Sequence, residues 1–214
     1  MVKTAILVSG GGTNLQSIID ANLFGEIKNC ELTAVISSNP EAYAIERAQY
    51  AGIPVYIVDR SIFPNRQSFS KALLDKLIDL EIELVVCAGF KSILSHLLVK
   101  AFENRMINIH PSLIPAFCGP GFNGLRVHEA VLDYGVKVTG ATAHFVTEVV
   151  DDGPIILQKA VEIYEDDTPQ TLQRRVMEEA EWKILPEAIS LFCQRRLVIE
   201  ERIVRIMGSL DNES

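Results

Sequence analysis

Three short segments of the 214-residue sequence combine residue types whose spacing suits chemistry. The first, Ser9-Gly10-Gly11-Gly12-Thr13-Asn14, lies between a β-branched run and a helical pattern carried by Leu15, Ile18 and Ile19. Glycines let a backbone approach an anion closely, and the amides that open a helix point at it with the helix dipole behind them. The segment departs from G-x-G-x-x-G, because Leu15 and Gln16 follow Asn14, and from the P-loop, which needs Gly-Lys before Ser or Thr. With both fingerprints missing, a phosphate monoester fits better than a dinucleotide or a triphosphate. The plainer reading is a tight turn with an Asn cap.

The second segment is Asn108-Ile109-His110-Pro111-Ser112-Leu113-Ile114-Pro115. Asn108 and His110 alternate at a strand end, so they project from one face toward the crevice where open α/β sheets bind ligands. An imidazole beside a carboxamide suits attack of an amine on a carbonyl, one group handling protons and the other stabilising an oxyanion. A purely structural His at a strand end is the commoner case, and the residues alone leave both readings open. In the third segment, His144 to Pro154, the carboxylates Asp151 and Asp152 precede Gly153-Pro154. They mark either a surface turn or a loop that brings a carboxylate to a histidine.

Short apolar runs position these segments: Ala5 to Val8, Leu32 to Ile36, Val55 to Val58, Leu84 to Cys87 and Met106 to Ile109. They alternate with helical stripes such as Phe69, Leu73, Leu74, Leu77 and Ile78, the pattern of consecutive βαβ units. Ala51-Gly52-Ile53-Pro54 reads as a helix stop. Val136 to Val146 and Ile155 to Ile163 have no helix between them and add antiparallel or mixed pairing at one edge. Thr168-Pro169 caps a helix that runs to about Leu191, with a kink or break expected at Pro186. The expected fold is α/β: a three-layer, open, mostly parallel twisted sheet with helices on both faces and an antiparallel or mixed edge in the C-terminal half. One domain spans 1–214, with a phosphate-binding half over about 1–104, a catalytic half over about 105–200 and a frayed tail over 208–214.

Lys and Arg number 20 against 28 Asp and Glu, a net charge of −8, which argues against a protein that coats nucleic acid or an anionic membrane. Cys30, Cys87, Cys118 and Cys193 are too scattered for a zinc spacing and read as buried thiols in a reducing compartment. No apolar run approaches the ~18 residues of a membrane span. The expectation is a cytoplasmic protein that binds small molecules, without nucleic-acid or membrane partners. Of the remaining histidines, His96 reads as a helix-surface residue, His128 as solvent-facing or ligand-touching, and His144 as a half-buried, hydrogen-bonded imidazole.

Taken in order, the glycine loop, Ala88-Gly89-Phe90, Asn-Ile-His-Pro-Ser-Leu and His-Phe-Val-Thr-x-x-x-Asp-x-Gly-Pro resemble the folate-dependent formyltransferases. Within them the match is to the phosphoribosylglycinamide formyltransferase (glycinamide ribonucleotide transformylase) group of purine synthesis, over the chain to about Arg196. The resemblance implies transfer of a formyl group from the co-substrate 10-formyltetrahydrofolate to the amine of glycinamide ribonucleotide, with no metal, by a monomer or weak homodimer. It implies Asn108, His110 and Asp151 as the catalytic trio. Gly12, Thr13, Asn14 and Arg66 would hold the substrate phosphate, Gly89 its backbone contact and Glu181 its ribose. Lys91, Ser92, Ile93, Leu94, Val146, Thr147 and Asp151 would border the folate.

The chain departs from the family pattern in four places. Lys91-Ser92 stands where many members carry Met-Arg, Trp182 replaces a usual His, and the interval from Val176 to Glu181 is one residue longer. The loop from Cys118 to His128 is longer and richer in glycine than in some relatives, which implies a mobile lid over about 117–124. Two related formyl enzymes are alternatives. A tRNA-directed transferase would need a further C-terminal domain, and a formyltetrahydrofolate hydrolase usually carries an N-terminal one. A non-catalytic phosphate-binding module is the alternative of a different class.

Overall fold

A computed structural model describes residues 1–208; the tail expected to fray lies, beyond Gly208, outside the described residues. The first half runs β1 (Val2–Val8), α1 (Thr13–Leu23), β2 (Cys30–Ser37), α2 (Ala44–Tyr50), β3 (Val55–Ile57), α3 (Arg66–Asp79), β4 (Leu84–Cys87), α4 (His96–Ala101) and β5 (Met106–His110). The second half adds α5 (Leu125–Tyr134), β6 (Val138–Phe145), β7 (Ile155–Glu162), α6 (Pro169–Val176), α7 (Trp182–Cys193), β8 (Leu197–Glu200) and β9 (Ile203–Ile206). Among the described residues one sheet carries all nine strands, in the order β3-β2-β1-β4-β5-β6-β7-β9-β8. Strands β1 to β5 pair in parallel, and β6 then runs antiparallel to both β5 and β7. The expected mostly parallel sheet with a mixed edge is the observed one.

The period-two rule explains the layering. Along β1, Ile6 and Val8 face a core made with α1, α2, α5, α6 and α7, while Ala5 and Leu7 face a second core under α3 and α4. A parallel strand covered on both faces reads as an unbroken apolar run, which is why these strands stand out in the sequence. The chain leaves β1 toward β2 on one side and leaves β4 toward β5 on the other, so the carboxyl ends of β1 and β4 flank a topological switch point.

Two expectations fail in the C-terminal part. The long helix after Pro169 does not break at Pro186, which lies inside α7; it is interrupted earlier, by a π turn over Met177–Glu181. The N–H that Pro186 lacks would have served the carbonyl of Trp182, the residue at which the regular ladder is only resuming, so the proline removes little. A π turn takes up one residue more than an α turn. The flanking buried faces, Leu172 and Val176 before it and Ile184, Leu185 and Ala188 after it, both still meet the sheet. The second is β8–β9, a hairpin at the sheet edge in a stretch where the sequence reading places no strand.

Gly140 is required by close packing. A Cβ there would overlap the carbonyl oxygen of Lys159 on β7 and sit 2.8 Å from Leu113 Cδ2. Gly140→Ala is therefore expected to lower stability by about 1–3 kcal/mol, read as a shift of the urea midpoint at constant slope; an unchanged midpoint would contradict the β6–β7 packing.

Candidate functional site

A cavity of about 460 Å³ opens at the switch point. Its wall brings together every sequence-predicted site residue except one: Gly12, Thr13, Asn14, Gly89, Lys91, Ser92, Ile93, Leu94, Asn108, His110, Val146, Thr147, Asp151 and Glu181. The exception is Arg66, exposed as the first residue of α3, where Asn65 Oδ1 accepts the Ser68 N–H at 2.9 Å and starts the helix. His128, His144 and Met177 also line the cavity.

One end of the cavity is a cluster around Asp151. Antiparallel pairing sets Asn108 directly opposite His144 and His110 opposite Thr142, so the four polar side chains share a face. The His144 ring is buried; its Nδ1–H donates to the carbonyl of Phe145 at 2.8 Å. Its Nε2 is thereby left as an acceptor, and it takes an N–H from Asn108 Nδ2 at 3.2 Å. Burial, the leading cause, pushes the His144 pKa below the ordinary imidazole range against the opposing pull of the Phe145 carbonyl and Asp151, which keeps this tautomer neutral. His144 thus turns the amide of Asn108 so that its second N–H is free for the cavity. The sequence treated His144 as a half-buried structural imidazole; its role is visible only through the strand register.

His110 Nε2–H donates to the carbonyl of Phe117 at 2.9 Å, and its Nδ1 lies 3.3 Å from Asp151 Oδ2. Protonated, the ring has a partner for each N–H. The Asp151 side chain is 9% exposed, sits 3.8 Å from His144 Nε2 and accepts the Gly119 N–H at 3.0 Å. The carboxylate therefore ties the 117–124 loop to β5 and β6. Asp151 holds a left-handed backbone (φ 55), and Gly153 behind it could not carry a Cβ, which would overlap the carbonyl oxygen of Phe145. Asp152 points away, paired with Arg202 at 2.7 Å. Thr142 Oγ1 secures the exit from β5, donating to the Ser112 carbonyl at 2.7 Å and accepting the Ile114 N–H at 3.1 Å. His128, read as solvent-facing or ligand-touching, is fully buried while lining the cavity, which removes the solvent-facing alternative; burial, aided by the charge of His110, lowers its pKa to about 4.

The opposite end is the glycine loop. Gly12, at φ 73, is the N-cap of α1, so the expected Asn cap is not formed. Asn14 instead donates from Nδ2 to Glu181 Oε2 at 2.6 Å, joining the loop to the π turn 167 residues away. Burial raises the Glu181 pKa to about 7, with the Asn14 hydrogen bond opposing. Gly89 follows β4 with φ 70, and the Lys91 N–H donates to Ser9 Oγ at 3.0 Å, which ties the β4 exit to the β1 exit. Backbone amides and a buried acid at one end, with an amide, an imidazole and a carboxylate at the other, suit a substrate with an anionic group remote from its reacting atom. Among the described residues no group of three or more His, Cys, Asp or Glu has metal-ligand geometry, and no helix is long and apolar enough to cross a membrane.

A family model described as formyl transferase matches residues 2–189. The phosphoribosylglycinamide formyltransferase of Haemophilus influenzae is 36% identical over 97% of this chain and 95% of its own length. The trifunctional purine biosynthetic protein adenosine-3 of Bos taurus is 42% identical over 88% of this chain, which spans only 18% of that protein. The crystal structure of glycinamide ribonucleotide transformylase 1 from Symbiobacterium toebii superposes with a TM-score of 0.91 at 45% identity, covering 97% of this chain and 95% of that one.

The buried Glu181 has a measurable consequence. Its pKa is about 7 folded against an ordinary 4.5, so the unfolded chain releases this proton first and the unliganded protein loses stability as pH rises from 4.5 through 7. Glu181→Gln keeps an acceptor for Asn14 and removes that slope. Thermal midpoints between pH 5 and 8 should show wild type falling relative to the variant; parallel curves would contradict the burial.

Proposed function

The chain belongs to the formyl transferase family, and from that premise we propose that it transfers the formyl group of 10-formyltetrahydrofolate to the amine of glycinamide ribonucleotide in purine biosynthesis. The products are formylglycinamide ribonucleotide and tetrahydrofolate. The observation that carries this reading is the free N–H of Asn108, oriented by His144, on the same face as His110 at the end of a cavity that begins at an amide-lined glycine loop. The two ends match the two ends of that substrate, a phosphate monoester and a primary amine.

In this reading the substrate phosphate meets the backbone at Gly12, Thr13 and Asn14. Glu181, as its carboxylate, accepts from the ribose hydroxyls, and Gly89 offers backbone contact. The folate lies along Lys91 to Leu94 and Val146 to Asp151. The amine attacks the formyl carbon, a C–N bond forms, and the carbonyl oxygen becomes an oxyanion. Asn108 Nδ2–H and His110 Nε2–H stabilise it, the formyl oxygen taking over the donor that the Phe117 carbonyl now occupies. Asp151 sustains the His110 imidazolium. As the bond to folate N10 breaks, the proton lost by the amine reaches N10 through a water held at the carboxylate. Arg66 stands outside the cavity wall and is given no step.

The proposed assembly is a monomer or weak homodimer, and four free cysteines suit the cytoplasm. The test mixes the protein with formyl donor and follows release of free folate with and without glycinamide ribonucleotide. Release that depends on the ribonucleotide is expected; release without it would indicate a hydrolase, and none in either case a binding module. Asn108→Ala should cut turnover by about 100-fold or more, and near-full turnover would overturn its role.

A further inference from the structure

The glycine loop does not hold its shape by itself. The N–H of Ala44, at the start of α2, donates to the carbonyl of Gly10 at 3.0 Å. Arg47, one turn further along α2, donates from Nε to the carbonyl of Gly11 at 2.9 Å and from Nη1 to Gln16 Oε1 at 3.0 Å. Two consecutive carbonyls are thus drawn toward α2. In a planar trans peptide the N–H points opposite to the C=O it is bonded with, so the N–H groups of Gly11 and Gly12 are turned away from α2. That direction is the cavity: Gly10, Gly11 and Gly12 line it, and no residue of α2 does. The next free amides, at the first turn of α1, continue the row. Successive N–H groups aimed into one concavity form an anion cradle.

The packing leaves this arrangement no slack. A Cβ on Gly12 would lie 2.7 Å from Ala44 Cβ and 2.8 Å from Ala44 Cα, so the loop rests directly on the α2 backbone. The guanidinium of Arg47 is in turn held over the ring of Tyr43, 5.0 Å from its centroid. Nothing in the sequence motif itself specifies this support, since Arg47 lies 33 positions beyond Asn14 and outside the cavity.

We infer that Arg47 is a positioning residue for phosphate recognition, gripping the Gly11 carbonyl from behind so that the Gly11 and Gly12 amides face the bound phosphate. The inference rests on the proposed ribonucleotide substrate. Arg47 touches no substrate atom; its effect is on the orientation of the loop, with its charge behind the cradle adding favourable potential.

The test compares Arg47→Ala and Arg47→Lys with wild type on two substrates, glycinamide ribonucleotide and its phosphate-free riboside. Amide shifts of Gly11 and Gly12 are followed by NMR as inorganic phosphate is added, and thermal midpoints show that each variant is folded. Arg47→Ala should raise KM for the ribonucleotide roughly 10- to 100-fold, leave kcat and the KM for the formyl donor near wild type, and weaken the phosphate-induced shifts. The KM for the riboside should not move. Lysine keeps the charge without the two-point fork, so Arg47→Lys should recover only part of the loss. Equal losses on both substrates, or full recovery by lysine, would overturn the positioning role. If wild type fails to turn over the ribonucleotide while phosphate still shifts both amides in an Arg47-dependent way, the proposed substrate falls and the inference about the loop stands.

Discussion

The structure is organised around one buried carboxylate. Asp151 is nearly sealed from solvent, and an ionised carboxyl in that position is tolerable only with donors around it. The donors come from two separate parts of the chain, the Gly119 amide of the glycine-rich loop and His110 at the end of β5, while the ring of His144 on β6 closes the third side at 3.8 Å. To reach them the backbone adopts a left-handed turn at Asp151 and packs so closely at Gly153 that no side chain fits beside the Phe145 carbonyl. A bulge at the start of β7, where Ala143 pairs with Leu157 but His144 pairs with Ile155, accommodates the turn. The antiparallel strand β6 is what makes the cluster possible, because it returns His144 to a position facing Asn108.

The far end of the cavity has its own constraint. The loop after β1 is fixed by three contacts distant in sequence: α2 behind it, Ser9 bridging to Ser38 at 2.7 Å, and Asn14 bonded to Glu181. The last places a group with a pKa near 7 where ligand must enter, so the free site stores a cost that a hydroxyl-bearing ligand could relieve. The π turn brings Glu181 to Asn14 while α6 and α7 keep their buried faces on the sheet. Met177, in the same turn, accepts the Thr13 hydroxyl at 3.6 Å and closes that corner.

Much of this was legible in the sequence, for identifiable reasons. Parallel strands buried on both faces are continuous apolar runs, and β4 was read to the residue, Leu84 to Cys87. The Asn-x-His alternation gave a shared face without any knowledge of the partner strand. What escaped depended on long-range pairing: the tautomer of His144 follows from register, and the burial of His128 from how α5 packs beneath the glycine-rich loop. The β8–β9 hairpin carries a sequence signal of its own, two apolar runs rich in β-branched residues, Leu197-Val198-Ile199 and Ile203-Val204, separated by a short turn in which Glu201 takes φ 56. Its turn lacks the Gly or Asn that usually announces such a hairpin.

The central claim is that the charge of Asp151, and not merely its shape, sustains His110 as a donor to the oxyanion. Asp151→Asn separates the two, since the carboxamide oxygen can still accept the Gly119 N–H while the negative charge is gone. The decisive measurement is the single-turnover rate of formyl transfer with both substrates saturating. The account predicts a fall of about 100-fold or more with substrate affinities little changed; a rate close to wild type would contradict it.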